Sequence, residues 1–324
     1  MTPRPRVHVT RRLVPPIEDQ LRRQFNAVIP DSDQPSDPLM LQRALGDADA
    51  LVCTLTDRIT AGVLAAYPLR TRIIASYGAG TDHIDLDAAR AHGIVVTNTP
   101  DVLTDCTADL TMMLILMAQR RAGEGERELR AGAWGGWHPT HLLGRRVSGS
   151  TLGLVGTGRI ARAVARRAIG GFGMQVRYHN PRHDSVAELE ALGATGSATL
   201  DALLGAVDVV SLHCPSTPAT RNLVDAKRIA SMRRGAVLIN TARGDVVDDG
   251  AVVAALASGH LGAAGLDVYR GEPALDRRYL EFDNVVLLPH LGSATHEARE
   301  AMGQRVIDNL TAFFAGEEPP DRVA

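Results

Sequence analysis

The sequence predicts an α/β protein with two Rossmann-like, doubly wound parallel-sheet domains, because strand-like and helix-like segments alternate along nearly all of its 324 residues. The segment that shows this most clearly is 151–161 (TLGLVGTGRIA), where an apolar run, a glycine turn and an amphipathic stretch follow one another. The length favours two domains, and a hydrophobic content of 45% is enough for two cores.

Composition argues against several kinds of partner and compartment. A net charge of −2 does not favour binding to nucleic acid or to a membrane surface. Cys53, Cys106 and Cys214 are too widely spaced to suggest a metal site or a disulfide framework, so the sequence favours a reducing cytoplasm and no bound metal. Neither a signal core nor an apolar run of membrane-spanning length is apparent.

The first hundred residues show the alternation expected of a parallel sheet. Strands are expected at residues 7–10, 51–55, 72–76 and 94–97. A helix is expected over 17–25, and Thr60 is a candidate N-cap for another that runs to Tyr67. The Pro/Asp-rich stretch 30–38 is interpreted as a surface loop.

The second half predicts a larger sheet in the order 3-2-1-4-5-6. Its six strands are expected at 152–155, 175–179, 207–212, 236–240, 262–266 and 285–288. Before them, a helix over 105–130, capped by Thr104, would be about 39 Å long at about 1.5 Å per residue and would connect the domains. A last helix, 293–314, is expected to return to the first domain. The predicted domains are a flavodoxin-like one, 1–101 with 292–324, and a dinucleotide-binding one, 102–291.

The glycine turn of segment 151–161 carries the pattern of a dinucleotide fingerprint. Gly156 allows a sharp turn, Gly158 allows close approach of a pyrophosphate, and Ala161 allows close packing of helix on strand. Free N–H groups at the start of the helix would then face the phosphates. A glycine triplet alone is weak evidence, but its position between a strand and a helix predicts a nucleotide site.

Three more segments are expected at the carboxyl ends of strands, where ligands bind in such sheets. They contribute Arg243, Glu272 and His290. An arginine fork can hold the carboxylate of a keto acid, and a histidine can donate a proton to its carbonyl oxygen. A carboxylate on the other imidazole nitrogen orients the ring and favours its charged form. Each residue alone is more often structural, but together they predict reduction of a carbonyl beside a carboxylate.

With these motifs, nearly the whole chain resembles the D-isomer-specific 2-hydroxyacid dehydrogenase family. The resemblance is carried by 153–161, 240–244 (NTARG), 265–269 (GLDVY) with Glu272-Pro273, and 289–293 (PHLGS). Spacings of 29 residues from Arg243 to Glu272 and 18 from Glu272 to His290 resemble the glyoxylate/hydroxypyruvate reductase branch.

The resemblance implies roles for individual residues. Arg243 would bind substrate, His290 would be the acid/base, Glu272 would be its partner, and Asp267 would contact the nicotinamide carboxamide. The backbone of a glycine loop would hold the substrate carboxylate, which predicts substrate contacts from Tyr77, Gly78, Ala79 and Gly80. Cofactor contacts are expected from Gly156, Gly158, Arg159, Ile160, Asn180, Arg182, Cys214, Thr241, Ala242, Asp267 and Gly292.

The segment 134–144 (WGGWHPTHLLG) contains both tryptophans of the chain. It resembles a signature loop of the same branch, in which a tryptophan of one subunit reaches the active site of its partner. A homodimer joined through the nucleotide domains is therefore expected, with either Trp134 or Trp137 in that role. Simple packing at an interface is the alternative reading of these tryptophans.

Cofactor choice is expected to depend on the end of the second nucleotide strand, where NAD-binding domains usually place an acidic residue. Asn180 stands there, followed by Arg182, which can pair with a 2′-phosphate. The sequence therefore favours NADP over NAD. A strand that ends later would instead make Asp184 the ribose ligand and favour NAD.

Other activities stay open. The same scaffold reduces other 2-keto acids of the phenylpyruvate or 2-ketogluconate type, and oxidation of phosphite or formate is disfavoured by the tryptophan loop. A phosphoglycerate dehydrogenase would often carry an added regulatory domain. A nucleotide-sensing corepressor is a possibility of another class, which the bacterial-looking composition and the lack of long disordered tails disfavour.

Overall fold

A computed structural model describes residues 3–66, 68–182 and 186–324. The chain divides into two compact units, one of Met1–Leu103 with Ala294–Ala324 and one of Thr104–Ser293. The sequence places each boundary two residues earlier, and the roles that it assigns to the two domains remain predictions. In the described ranges no helix is long and apolar enough to cross a membrane.

The first unit contains a five-stranded parallel sheet in the order β2-β1-β3-β4-β5. The strands are β1 (Arg6–Val9), β2 (Asn26–Val28), β3 (Ala50–Cys53), β4 (Ile73–Ser76) and β5 (Val95–Thr97). The helices are α1 (Pro15–Gln24), α2 (Pro38–Asp47), α3 (Ala61–Ala65), α4 (Leu86–Ala91) and, from the end of the chain, α12 (His296–Ala315). This strand order is that of flavodoxin-like folds.

The second unit contains a seven-stranded parallel sheet in the order β12-β11-β10-β9-β6-β7-β8. The strands are β6 (Thr151–Val155), β7 (Gln175–His179), β8 (Thr195–Gly196), β9 (Val209–Leu212), β10 (Ala236–Asn240), β11 (Leu261–Leu266) and β12 (Val285–Leu287). The helices are α5 (Thr104–Arg120), α6 (Ala122–Arg130), α7 (Arg159–Phe172), α8 (Ala187–Ala191), α9 (Leu200–Leu204), α10 (Ala226–Ser231) and α11 (Asp249–Ala257). The predicted α/β class with two doubly wound sheets is confirmed.

The predicted strand assignment of this sheet is wrong in one respect. A two-residue strand, β8, precedes β9, so the segment predicted as third is the fourth strand and pairs with β6. Both residues of β8 are exposed at the edge of the sheet and one is a glycine, so they carry no hydrophobic signal. Counted with β8, the order is 3-2-1-4-5-6 with a seventh strand added at the β12 edge.

The single helix predicted over 105–130 is two helices. Arg121 between α5 and α6 has a left-handed backbone (φ 53°), which ends the first helix. The apolar face of α5 also stops at Ala118, and α6 contains Gly123 and Gly125 in a charged, exposed stretch. The predicted span of 39 Å therefore does not exist as one straight element.

Two smaller predictions have mixed outcomes. Thr60 caps α3 as predicted, but the helix ends at Ala65, and Tyr67 lies outside the described residues. The stretch 30–38 is not all loop, because Asp37 accepts a hydrogen bond from Met40 N (2.8 Å) and Pro38 begins α2.

Candidate active site

The fingerprint turn has the geometry that a bound pyrophosphate requires. Gly156 has φ 104°, and a Cβ atom there would lie 2.8 Å from the carbonyl oxygen of His213, so only glycine is accommodated. Gly158 precedes the 14-residue helix α7, and within the described ranges no side chain caps that helix. A Cβ atom on Gly158 would meet no atom of the described residues within 4 Å. This open helix start, followed by Arg159 and Ile160, fits the pyrophosphate of a nicotinamide dinucleotide.

The turn after β7 is fixed to the fingerprint turn through Asn180. Its side chain is buried, and Nδ2 donates to Oγ1 of Thr157 at 2.7 Å. Its Oδ1 accepts from the backbone N–H of Arg182 at 3.2 Å. Arg182 itself is exposed. Asp184, the alternative ribose ligand, lies outside the described residues.

Arg243 follows β10, where Asn240 shapes the turn. The buried Asn240 donates through Nδ2 to the carbonyl of Arg243 (2.9 Å) and accepts at Oδ1 from the N–H of Ala242 (3.0 Å). The next residue, Gly244, is packed so closely that a Cβ atom would collide with the backbone of Tyr269 and Arg270. Both constraints fix the backbone from which the arginine projects.

His290 and Glu272 form a hydrogen-bonded pair at the ends of β12 and β11. Nδ1 of His290 lies 2.8 Å from Oε2 of Glu272, while Oε1 accepts from the N–H of Tyr269, also at 2.8 Å. Burial alone raises the pKa of Glu272, but the hydrogen bond and charge of His290, the Tyr269 N–H and the charge of Arg243 outweigh it and lower that pKa. Because an ionised carboxylate only accepts, Nδ1 carries a proton, and Nε2 is the nitrogen left to act on a ligand.

Asp267 holds the loop that carries His290. Its carboxylate is buried, and its two oxygens accept from the N–H groups of Leu291 (2.6 Å) and Gly292 (2.9 Å). Its carbonyl accepts from the N–H of His290 at 2.9 Å. Burial raises the pKa of Asp267, although the two N–H groups and the charge of His290 oppose the shift. Its contact with a nicotinamide carboxamide stays a prediction.

The structure brings the predicted trio together. Arg243, Glu272 and His290 follow β10, β11 and β12, which are adjacent in the sheet. Their order along the edge places a cation that can bind an anion beside a hydrogen-bonded His290–Glu272 pair that can deliver a proton. Cys214 follows β9 in the same sheet, and burial raises its pKa to about 11, so its thiol is uncharged.

The predicted substrate loop lies in the first unit, after β4. The Tyr77 side chain is buried, its hydroxyl donates to the carbonyl of Arg299 (2.5 Å), and burial raises its pKa to about 12. The carbonyls of Gly78 and Ala79 accept from Thr99 N (3.0 Å) and Asn98 Nδ2 (2.7 Å). The loop is therefore held through its carbonyl groups.

The tryptophan segment is a surface feature of the second unit. Trp134 is 51% exposed and Trp137 is 82% exposed, and Leu143 beside them is also exposed. His141 lies 3.0 Å from a carboxylate oxygen of Glu128, which ties the segment to α6. Exposed side chains of this size are typical of binding surfaces.

The sequence profile described as D-isomer specific 2-hydroxyacid dehydrogenase, NAD binding domain, matches residues 112–292. The chain belongs to this dehydrogenase family. Its predicted membership is thus confirmed, and with it a nicotinamide cofactor.

Among its relatives is a glyoxylate reductase of Thermococcus kodakarensis, 43% identical over 99% of this chain and 96% of that protein. A glycerate dehydrogenase of Hyphomicrobium methylovorum is 42% identical over 83% of each chain. Among solved structures, an NADPH-dependent glyoxylate/hydroxypyruvate reductase from Sinorhizobium meliloti, in complex with NADP and malonate, has a TM-score of 0.86. It is 37% identical over 99% of this chain and 97% of that one.

Sequence reasoning missed the residues that support the site of this dehydrogenase. Asn240 and Gly244 belong to the 240–244 motif. The hydrogen bonds of Asn240 and the close packing of Gly244, which fix the backbone around Arg243, are visible only in the structure. Thr107 and Thr111 on α5 could not be identified from the sequence, because they lie far along the chain from their hydrogen-bond partners Gly292 and Thr241.

Proposed function

We propose that this dehydrogenase reduces glyoxylate and hydroxypyruvate to the corresponding 2-hydroxy acids. The observation that carries the proposal is the His290–Glu272 pair at 2.8 Å, beside the strand that presents Arg243. The names of the relatives support the choice of substrates over larger keto acids.

The cofactor, when bound, supplies a hydride to the carbonyl carbon. Arg243 holds the planar keto acid through its fork of N–H donors. His290 donates the proton from Nε2 to the carbonyl oxygen, and Glu272 stabilises the charged imidazole before transfer. Asp267 holds the loop that carries His290, because its carboxylate accepts hydrogen bonds from two backbone N–H groups of that loop. We include the loop Tyr77–Gly80 as the group that binds the carboxylate through backbone N–H.

The direct test is a steady-state comparison of glyoxylate, hydroxypyruvate, pyruvate and phenylpyruvate, each with NADH and NADPH. We expect the highest kcat/KM for glyoxylate or hydroxypyruvate. Higher values for phenylpyruvate would assign the site to another keto acid, and cofactor binding without turnover of any keto acid would favour a nucleotide-sensing role.

The proposal includes a preference for NADPH. It is supported by the uncharged Asn180 at the end of β7 and by Arg182, whose backbone is anchored to it (3.2 Å). A ratio of kcat/KM values that favours NADH would contradict the preference and direct attention to Asp184.

The proposal also includes a cytoplasmic homodimer in which Trp134 or Trp137 of one subunit reaches the active site of the other. Their exposure and that of Leu143 support it, since such apolar side chains are usually covered. Sedimentation should give a dimer. Replacing the interfacial tryptophan with alanine should raise KM for the keto acid, whereas a monomer with unchanged KM in both variants would contradict the arrangement.

A further inference from the structure

A chain of hydrogen bonds runs from the Arg243 loop through two threonines of helix α5 to the His290 loop. Oγ1 of Thr241, two residues before Arg243, lies 3.0 Å from Oγ1 of Thr111. Oγ1 of Thr111 donates to the carbonyl of Thr107 at 2.8 Å. Oγ1 of Thr107 then donates to the carbonyl of Gly292, two residues after His290, at 2.9 Å. We call these three threonines the threonine strut.

The directions of these bonds are fixed by the chemistry of their partners. A carbonyl oxygen can only accept, so the protons of Thr107 and Thr111 lie on the bonds to Gly292 and Thr107. A hydroxyl has one proton, so Thr241 is the donor to Thr111. All three side chains are buried, with Thr111 at 0% exposure, so a lost partner would not be replaced by bulk water.

The strut has a rigid support. Helix α5 packs so closely on β11 that a Cβ atom on Gly265 would lie 3.1 Å from Cβ of Leu114. At the other end, Gly292 is held on both sides, since its N–H donates to Asp267 (2.9 Å) and its carbonyl accepts from Thr107. His290, two residues away, has a left-handed backbone (φ 56°), a conformation that the surrounding contacts must stabilise.

We propose that Thr107 and Thr111 are positioning residues that fix the relative placement of Arg243 and His290 for keto-acid reduction, an inference that rests on the proposed function. Neither hydroxyl reaches the substrate, because both are used in bonds to protein groups. Their effect is on geometry. A displacement of about 1 Å at reacting groups can cost about 100-fold in rate.

The test replaces each threonine with valine, which keeps the shape and removes the hydroxyl. We expect Thr107→Val and Thr111→Val each to lower kcat/KM by about 10-fold, with Thr107→Val acting mainly on kcat. Cofactor affinity, measured by fluorescence titration, should change less than twofold. Thr107→Ser, which retains the hydroxyl, should keep activity near the wild-type value. If valine prevents folding, Thr107→Ala against Thr107→Ser gives the same comparison.

A matched control lies in the first unit. Thr71 is also buried, and its hydroxyl donates to the carbonyl of Ala48 at 2.9 Å. Thr71→Val removes an equivalent hydrogen bond far along the chain from both loops. It should lower the melting temperature about as much as Thr107→Val and leave kcat/KM unchanged.

A double-mutant cycle tests the connection itself. Thr111→Val and Thr241→Val break the same hydrogen bond, so the loss in the double variant should be smaller than the product of the single losses. Wild-type kcat/KM in the valine variants, or a loss in Thr107→Ser or Thr71→Val as large as that in Thr107→Val, would overturn the strut.

Hydrogen exchange gives a readout that does not depend on turnover. The amides of 290–293 should exchange faster in Thr107→Val than in the wild type or in Thr71→Val. Unchanged exchange would overturn the strut. An inactive wild-type enzyme with faster exchange in Thr107→Val would overturn the proposed function and leave the strut supported.

Discussion

The two ends of the second sheet differ in how their functional side chains are held. At the β10–β12 edge, Asn240 and Asp267 are buried and bonded to the loops that carry Arg243 and His290. At the β7 end, one buried side chain, Asn180, supports an exposed Arg182. The difference indicates that the groups assigned to chemistry depend on a fixed backbone. The group assigned to cofactor choice depends mainly on its own charge.

The largest effect is expected at the chemical end. His290→Gln removes the proton donor, and turnover should fall about 10²–10⁴-fold, the usual contribution of general acid catalysis. Cofactor affinity should hardly change, because His290 is assigned to the keto acid and is not among the expected cofactor contacts. Single-turnover reduction and cofactor titration measure the two quantities. Turnover near the wild-type rate would remove His290 from its role.

Arg243→Lys should have the next largest effect. Lysine keeps the charge but loses the planar fork, and a charge-assisted bond is worth about 1.5–3 kcal/mol, or roughly 10–150-fold in affinity. We expect a higher KM for glyoxylate and a lower kcat with an unchanged cofactor constant. Arg270→Lys is a useful control, because Arg270 bonds the carbonyl of Val247 outside the trio. An unchanged KM would mean that Arg243 does not bind the keto acid.

Glu272→Gln should lower the rate of reduction at neutral pH by about 10-fold, less than the loss of the proton donor itself, because the imidazole of His290 remains. The lowered pKa keeps Glu272 ionised at neutral pH, where its carboxylate accepts the hydrogen bond from Nδ1 of His290. The wild-type rate should therefore fall as the pH drops through the lowered pKa of Glu272, and the variant should lack this fall.

The pH dependence of the free energy of unfolding gives a second test of the Glu272–His290 pair. A lowered folded-state pKa stabilises the wild type above the unfolded pKa of the carboxylate, and this stabilisation is lost as the pH falls through the folded value. The glutamine variant should lose less stability on acidification. Coincident profiles for the two proteins would argue against the pairing.

The smallest effect is expected at the β7 end. Arg182→Ala should weaken NADPH by about 10-fold and NADH little, since an exposed charge-assisted bond lies at the low end of its range and is screened by salt. Both affinities must be measured at one ionic strength. Arg177→Ala, an exposed arginine on β7 itself, is the matched control. Equal losses for both cofactors would mean that Arg182 does not read the 2′-phosphate.

The parts of the fold that could be predicted are those with a strong local pattern. The fingerprint predicts β6 and α7, and strand ends followed by charged residues predict where Arg243, Glu272 and His290 lie. β2 and β8 were missed because each has three residues or fewer with little burial. Asp37-Pro38 is typical of a helix start, but the proline-rich stretch before it favours a loop over the whole of 30–38.

The supporting bonds of the site could not be predicted. The hydrogen bond from Thr107 to Gly292 joins residues 185 positions apart, and that between Thr111 and Thr241 joins residues 130 apart. No spacing rule for a helix or strand reaches so far. Such contacts follow only once the packing of α5 on the sheet is known.

The bond between Asn180 and Thr157 has a consequence for redesign of cofactor preference. An aspartate at position 180 would add charge against a 2′-phosphate, but it could keep the contact only if Thr157 became the donor, because a carboxylate cannot donate. Charge and hydrogen-bond polarity therefore change together at position 180, within the turn that both cofactors must share. At Arg182 the charge can be altered while this bond is left intact. An engineer who wants NADH specificity should begin at position 182 and alter position 180 together with Thr157.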